Sequence, residues 1–159
     1  MRVFSIFIAL CFSLGLSAQS RPVALDDLEI KKDPNGVTVY YLDGQAFSGK
    51  TYDFYEQENI ALEHHLEQGL LTLKEGFRDG QKIEHVEFKD GILDGVYLKY
   101  FGNGQKYVEH RYQSGRMHGL QYGWEKDGTV RFVAEYKNGL EMMRMDYPPP
   151  GGFKPMIKN

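Results

Sequence analysis

The side chains of this sequence that could carry metal or acid/base chemistry are its five histidines and its numerous carboxylates. His64 and His65 are adjacent, so on a β-strand their side chains point to opposite faces and cannot chelate one ion together. His64 and His110 occupy equivalent positions of a repeat, but a whole repeat unit separates them. The sequence therefore predicts no metal site and no bound cofactor.

One possible acid/base pair occupies equivalent positions of neighbouring repeat units. His85 and Glu109 occupy matching positions of successive units, which places them about 10 Å apart across an intervening strand. That separation is too long for direct proton transfer between the two side chains. The sequence also lacks the Gly-x-Ser-x-Gly nucleophile motif, the glycine-rich phosphate loops and the His-Glu-x-x-His zinc motif. We therefore expect no catalytic residues and no enzymatic activity.

The strongest binding candidates are aromatic residues that stand just before predicted hairpin turns. They are predicted to share a sheet face with one arginine, opposite the main apolar set. A row of aromatic rings could stack on sugars or on peptide side chains. The alternative is a second small core, formed where the sheet curls on itself. The candidates are Tyr41, Tyr55, Phe77, Phe101 and Arg111.

These residues lie on an internal repeat of 22 to 24 residues. Segments 95–115 and 119–139 align without a gap at an offset of 24, which superimposes Tyr112 on Tyr136. Each unit contains a strand of alternating residue types, an Asn-Gly or Asp-Gly pair typical of a tight turn, and a second strand. The predicted repeat domain covers residues 36–147, with units at 36–49, 50–69, 70–91, 92–115 and 116–139.

The alternation also assigns side chains to faces. Apolar residues of the first strands, such as Leu98, and of the second strands, such as Val108, are predicted to line one apolar face, with polar residues on the other. The only helix candidate, 24–32, is too short to cover the apolar face. We therefore predict an all-β fold: a single-layer antiparallel meander of β-hairpin repeats, elongated and twisted, in which each unit contacts its neighbours.

The segment YFGNGQKYVEHRYQSGRMHG, residues 100–119, resembles the MORN-repeat variant, with an aromatic pair, an Asn-Gly turn, then Glu, an aromatic residue and Gly. The opening YYLDGQAFSGK, residues 40–50, is similar to the shortened first unit of bacterial proteins often labelled YwqK-family antitoxins. Glu58 departs from this pattern because it replaces a turn glycine. The resemblance implies a module that binds proteins, scaffolds or membrane lipids and, where the antitoxin label applies, neutralises a partner.

Residues 1–18 predict a secretory signal peptide, with one base at Arg2, an apolar run over 3–16 and small residues at the end. The run has about fourteen residues, fewer than the roughly twenty that span a bilayer. Apolar residues continue on both sides of Cys11, the only cysteine, which argues against a lipid anchor. We expect an exported protein, periplasmic or extracellular, not lipid-anchored and without a transmembrane span in its mature chain.

Composition narrows the function class further. The 159 residues include 19 bases and 22 acids, a formal charge of -3, so no broad basic surface is available for nucleic acid. Residues 19–35 are expected to be a flexible lead-in solvated by its acids, and 148–159 a Pro/Gly-rich tail. The expected function is an exported, non-enzymatic protein-binding or scaffolding module. The alternatives are an exported antitoxin or immunity protein that neutralises a toxin, and a glycan- or lipid-binding envelope protein.

Overall fold

The computed structural model describes residues 22–147. The predicted signal peptide, Cys11 and the Pro/Gly-rich tail lie outside the described residues. The regular elements within residues 22–147 are β-strands, apart from a single 3-10 turn at Leu25–Asp27. The all-β prediction is therefore confirmed. Within this range, nothing helical reaches the length and hydropathy that crossing a bilayer requires.

The main sheet is an open run of consecutive hairpins. Neighbouring strands are antiparallel, except that β1 (Val23–Ala24) pairs in parallel with β5. The sheet order is β1, β5 to β10, then β12, β13 and β14, while the short β11 pairs only with β10. The strand bounds are Gly49–Tyr55 (β5), Ile60–Glu67 (β6), Leu70–Arg78 (β7), Gln81–Lys89 (β8), Ile92–Tyr100 (β9), Lys106–Gln113 (β10), Arg116–Met117 (β11), Gly119–Trp124 (β12), Val130–Lys137 (β13) and Leu140–Asp146 (β14).

Two-residue turns with positive φ connect many of these strands. In the turn between β7 and β8, Asp79 and Gly80 have φ values of 52° and 76°. The backbone twist of such turns matches the twist of the flanking strands. In the turn between β5 and β6, where Glu58 replaces the expected glycine, Asn59 adopts the left-handed conformation instead, with φ 50°. Asparagine tolerates that conformation, so the hairpin forms without a glycine.

Residues 29–46 form a separate sheet of three strands. Its strands, in sheet order, are β2 (Glu29–Lys32), β3 (Thr38–Leu42) and β4 (Gln45–Ala46). The first repeat unit therefore does not extend the main sheet. The expected flexible lead-in is wrong for residues 22–35, because they form β1, the 3-10 turn and β2. Leu28, only 7% exposed, anchors this segment by burying its apolar side chain.

The small sheet packs against the turn between β6 and β7 of the main sheet. The Tyr40 N–H donates to the Gly69 carbonyl (2.9 Å), and the Gly69 N–H donates to the Phe47 carbonyl (2.7 Å). A Cβ atom on Gly69 would lie 2.7 Å from Cγ1 of Val39, so the close approach requires glycine. The small sheet therefore covers a turn between hairpins, and the first edge of the array is covered in part by β1, which pairs with Thr51 and Tyr52 of β5. At the last end, none of the described strands pairs with the outer edge of β14.

The strand register contradicts the predicted faces. Residues directly opposite each other on paired strands share a face. Tyr52 lies opposite Glu63, and Leu98 lies opposite Glu109. Apolar residues of the first strands therefore share a face with acids of the second strands, so the prediction of one apolar and one wet face is wrong. Both faces mix apolar and charged side chains.

The two faces differ in burial. We call the more enclosed one the buried face; its least exposed residues are Thr51, His64, Leu66, Val86, Val108, Gln121, Phe132 and Ala134. We call the other the open face. A single row of paired residues crosses it from β5 to β14: Tyr52, Glu63, Glu75, His85, Leu98, Glu109, Tyr122, Val133 and Met145. This row passes through both of the sites described next.

Candidate functional site

The predicted aromatic column does not share one face. Tyr41 lies on β3 in the small sheet. Tyr55 pairs with Ile60 on the buried face, whereas Phe77 pairs with Ala61 on the open face. The expected common face is therefore wrong, because the candidates are divided between two sheets and both sides of the main one.

The remaining candidates make local contacts. The Phe101 ring, just after β9, meets the Tyr107 ring edge-on with 5.0 Å between centroids. Arg111 lies on the open face, and its Nη2 is 2.8 Å from Oε1 of Glu109. Tyr55 lines a groove on the buried face. Binding by any of these residues stays a prediction.

Three neighbouring strands bring acids and histidines together on the open face. Glu63 on β6 lies opposite Glu75 on β7, which in turn lies opposite His85 on β8. His65 and Glu87 stand two residues further along β6 and β8, so they point to the same side. We call Glu63, His65, Glu75, His85 and Glu87 the open-face cluster.

On the β5–β6 side of this cluster, Glu63 is a partly buried carboxylate with two hydrogen-bonding neighbours. Its Oε1 lies 2.6 Å from Nζ of Lys50 and 2.5 Å from Nε2 of His65. Partial burial acts to raise the pKa of Glu63, but the hydrogen bonds from Lys50 and His65 outweigh it. The pKa of Glu63 therefore lies below its ordinary value of 4.5, and the carboxylate is ionised at neutral pH.

Glu75 has a similar arrangement on the β8 side. Its Oε1 lies 2.5 Å from Nζ of Lys82 and 3.2 Å from Nδ1 of His85. The hydrogen bond from Lys82 is the main cause that lowers the pKa of Glu75, and the hydrogen bond with His85 adds to it against the effect of burial. The other imidazole nitrogen of His85 lies 3.4 Å from Oε1 of Glu87. Two ionised carboxylates therefore face each other across β6 and β7.

Part of this cluster has the donor atoms of a metal site. Glu63, His65 and Glu75 each offer one ligand atom, and these atoms lie within 4.8 Å of one another. The sequence analysis missed this set because it compared histidines with each other and His85 with Glu109, and did not compare His65 with Glu63 and Glu75. The signal it could have used is the spacing Glu63-x-His65 and His85-x-Glu87, since residues i and i+2 of a strand share a face.

The pairs His64–His65 and His85–Glu109, which the sequence analysis considered, are separated in the structure. His64 lies opposite Thr51 on the buried face, whereas His65 lies opposite Lys50 on the open face. Leu98 stands between His85 and Glu109 in the row of paired residues. Neither combination can therefore share a ligand or exchange a proton directly.

The open face ends in an exposed apolar patch on the last strands. Tyr122 stacks on Trp124 with 5.7 Å between ring centroids, and Val133 lies opposite Met145. We call the set the terminal patch: Leu120, Tyr122, Trp124, Val133, Met143 and Met145. All seven residues of β14 are exposed, and Leu140 and Met142 extend the apolar surface along the strand at 71% and 62% exposure.

No protein-family model matches the chain, and a search of curated proteins finds no related sequence. The resemblance to MORN repeats therefore stays a prediction from the sequence. The candidate sites are the open-face cluster and the terminal patch with β14.

Proposed function

We propose that this chain is an exported, non-enzymatic repeat protein that binds another protein through the terminal patch and the free edge of β14. The observation that carries the proposal is the contrast between the two ends of the array. At the first end, β1 pairs with Thr51 and Tyr52 of β5. At the last end, β14 is exposed along its whole length, and no strand within residues 22–147 pairs with its outer edge. Repeat arrays need polar capping elements to stay soluble, so an apolar last strand favours a partner that covers it.

The chemistry of β14 fits an extended segment of a protein. The outer edge of a terminal strand presents unpaired N–H and C=O groups, which an added strand can pair with. Leu140, Met143 and Met145 project beside that edge, and methionine side chains adapt to many apolar surfaces. A partner strand with alternating apolar residues would therefore extend the sheet and lay its side chains against the terminal patch.

Polar groups at the border of the patch and within it orient such a partner. Nζ of Lys106 lies 5.7 Å from the centroid of the Trp124 ring, at the border of the patch. Glu135 lies inside the patch, opposite both Leu120 and Met143. Charged groups at the rim are typical of protein interfaces, and the Glu135 carboxylate would pair with a donor of the partner. Export and the lack of enzymatic activity rest on residues 1–18 and on the missing catalytic motifs.

A site-specific photo-crosslinking amino acid tests the proposal in the cells that make the protein. Placed at position 143, it should give a discrete adduct with a second protein. Placed at position 30, it should give none, because Ile30 is equally accessible, at 54% exposure, but lies in the small sheet. An adduct formed only with another copy of this chain, or no adduct at position 143, would overturn the proposal.

The captured partner then allows a quantitative measurement. Trp124 is the only tryptophan of the chain, so its fluorescence reports binding at the terminal patch. Burying a methionine side chain contributes about 1.5–3 kcal/mol, so Met145→Glu should weaken binding about ten-fold or more. The control Ile30→Glu should leave the affinity unchanged. Equal affinity of the wild-type and Met145→Glu proteins would contradict docking at this patch.

A further inference from the structure

We propose that Glu63, His65 and Glu75 bind one divalent transition-metal ion, with zinc as the best fit. Zinc binds imidazole nitrogen and carboxylate oxygen in tetrahedral sites, and three protein ligands leave one position open. Here the imidazole Nε2 of His65 and one oxygen from each carboxylate lie within 4.8 Å of one another. This site lies on β6 and β7 and does not depend on the proposed partner at β14.

The geometry needs only small side-chain movements. With metal–ligand bonds of about 2.0–2.2 Å, the ligand atoms of a tetrahedral zinc site lie about 3.3 Å apart. Nε2 of His65 and Oε1 of Glu63 are now 2.5 Å apart, so these two must separate slightly while Glu75 moves closer. Rotation about glutamate side-chain torsions supplies such shifts. The backbone positions are fixed, because β6 is paired with β5 on one side and with β7 on the other.

The charges also favour a cation between the two strands. Like charges directly opposite each other on paired strands are destabilising, and Glu63 faces Glu75. Lys50 and Lys82 offset this repulsion from the two sides, but their side chains are 53% and 42% exposed and can move into solvent. An ion held between the carboxylates would offset the same repulsion more directly.

His85 has the position of a residue that orients a metal ligand. Its Nδ1 lies 3.2 Å from Oε1 of Glu75 on the side away from Glu63, and its Nε2 lies near Glu87. Hydrogen bonds of this kind fix the orientation of ligating side chains. Glu63, His65 and Glu75 are therefore the ligands, and His85 is a positioning residue for Glu75.

Calorimetric titration with zinc chloride tests the site. The protein is purified without a histidine tag and treated with a chelator, then titrated with the metal alone. The wild type should bind one zinc ion per chain, and His65→Gln and Glu75→Gln should each weaken binding about ten-fold or more. The matched control is His118→Gln, which removes a histidine outside the cluster and should leave the affinity unchanged.

Lys50→Met gives an independent result, because the Lys50 ammonium competes with the metal for Oε1 of Glu63. This variant should bind zinc more tightly than the wild type. Cobalt(II), used as a spectroscopic substitute, should give the visible absorption of a tetrahedral site in the wild type. These two measurements test the site even if Glu75→Gln fails to fold.

Several results would overturn the metal site. The wild type could show no saturable zinc binding, or Glu75→Gln could bind as tightly as the wild type. An equal loss in His118→Gln would show that zinc binds to surface histidines in general. Unchanged or weaker binding by Lys50→Met, or an octahedral cobalt spectrum, would contradict the proposed ligand set.

Discussion

The side chain of Gln121 replaces backbone pairing between β10 and β12. These strands pair directly at Val108–Gly123 and Glu109–Tyr122. Beyond those pairs, the Arg111 N–H donates to Oε1 of Gln121 (2.8 Å), and Nε2 of Gln121 donates to the Arg111 carbonyl (3.1 Å). Gln121 is only 1% exposed, so water cannot take over these bonds when the side chain is changed.

Replacing Gln121 with leucine should therefore destabilise the protein measurably. Leucine keeps much of the volume but leaves the Arg111 N–H without its acceptor. The Arg111 carbonyl keeps a second hydrogen bond, from the N–H of His118 (2.9 Å). A buried unsatisfied N–H costs about 1–3 kcal/mol, so Gln121→Leu should lower the free energy of unfolding by about 1–3 kcal/mol. For a chain of this size the melting temperature should fall by about 3–9 °C.

Urea unfolding followed by Trp124 fluorescence, with thermal melting followed by circular dichroism, measures this change. The control is Gln113→Leu, because Gln113 lies on β10 but is exposed; its effect should stay within about 0.5 kcal/mol. A loss below about 1 kcal/mol in Gln121→Leu would refute the assigned role. Gln121 stands between Leu120 and Tyr122 on β12, so a real loss would also loosen the terminal patch.

Two further predictions concern the buried face. Gly123→Ala should destabilise the protein by about 1–3 kcal/mol, because the added Cβ would clash with the Phe132 ring. The midpoint of urea unfolding should therefore fall. The control Gly102→Ala, with open space around the added Cβ, should have the midpoint of the wild type. Burial lowers the pKa of His64 and of His110 below the ordinary value of 6.5. Folding therefore favours their neutral forms, and their contribution to stability is complete above about pH 6.5 and decreases as the pH falls through their folded pKa values. The melting temperature of the wild type should drop when the pH is lowered from about 7.5 to about 5.5. The double variant His64→Gln/His110→Gln should show a smaller drop. An equal drop in the wild type and the double variant would contradict this cause.

The hairpins could be predicted because their turns are encoded locally. Asp79 and Gly80 both tolerate positive φ, and strands of alternating residue types flank them. The same local chemistry recurs between successive hairpins, as at Asp90 and Gly91, which have φ values of 53° and 73°. Turn residues act within a few positions of the chain, so one sequence is enough to locate them.

The faces could not be predicted for several hairpins, because β-bulges shift the register within the pairs β7–β8, β9–β10 and β12–β13. Across the turn at Asp79 and Gly80, regular pairing would place Val86 opposite Leu73. The bulge near Gly76 places Val86 opposite Lys74 instead. A shift of one residue moves every following side chain to the other face. The residue types of this segment do not predict the bulge.

The open-face cluster depends on a second bulge. Regular pairing across the turn at Gln68 and Gly69 would place Glu63 opposite Lys74, as an ordinary ion pair. The bulge between His65 and Leu66 places Glu63 opposite Glu75. The spacing of Glu63 and His65 was visible in the sequence, but the third ligand joins them only through this irregular register.

The uneven ends of the array also limit how it can assemble with itself. At the first edge, the two-residue β1 pairs with β5 and the 3-10 turn lies beside it. Within residues 22–147, β14 is the one long edge strand that no other strand covers. A fibre grows only when each copy offers two complementary surfaces. Joining two copies through β14 would use the same edge of each and stop at a closed pair, whereas the strand added at the first edge, β1, limits further extension there.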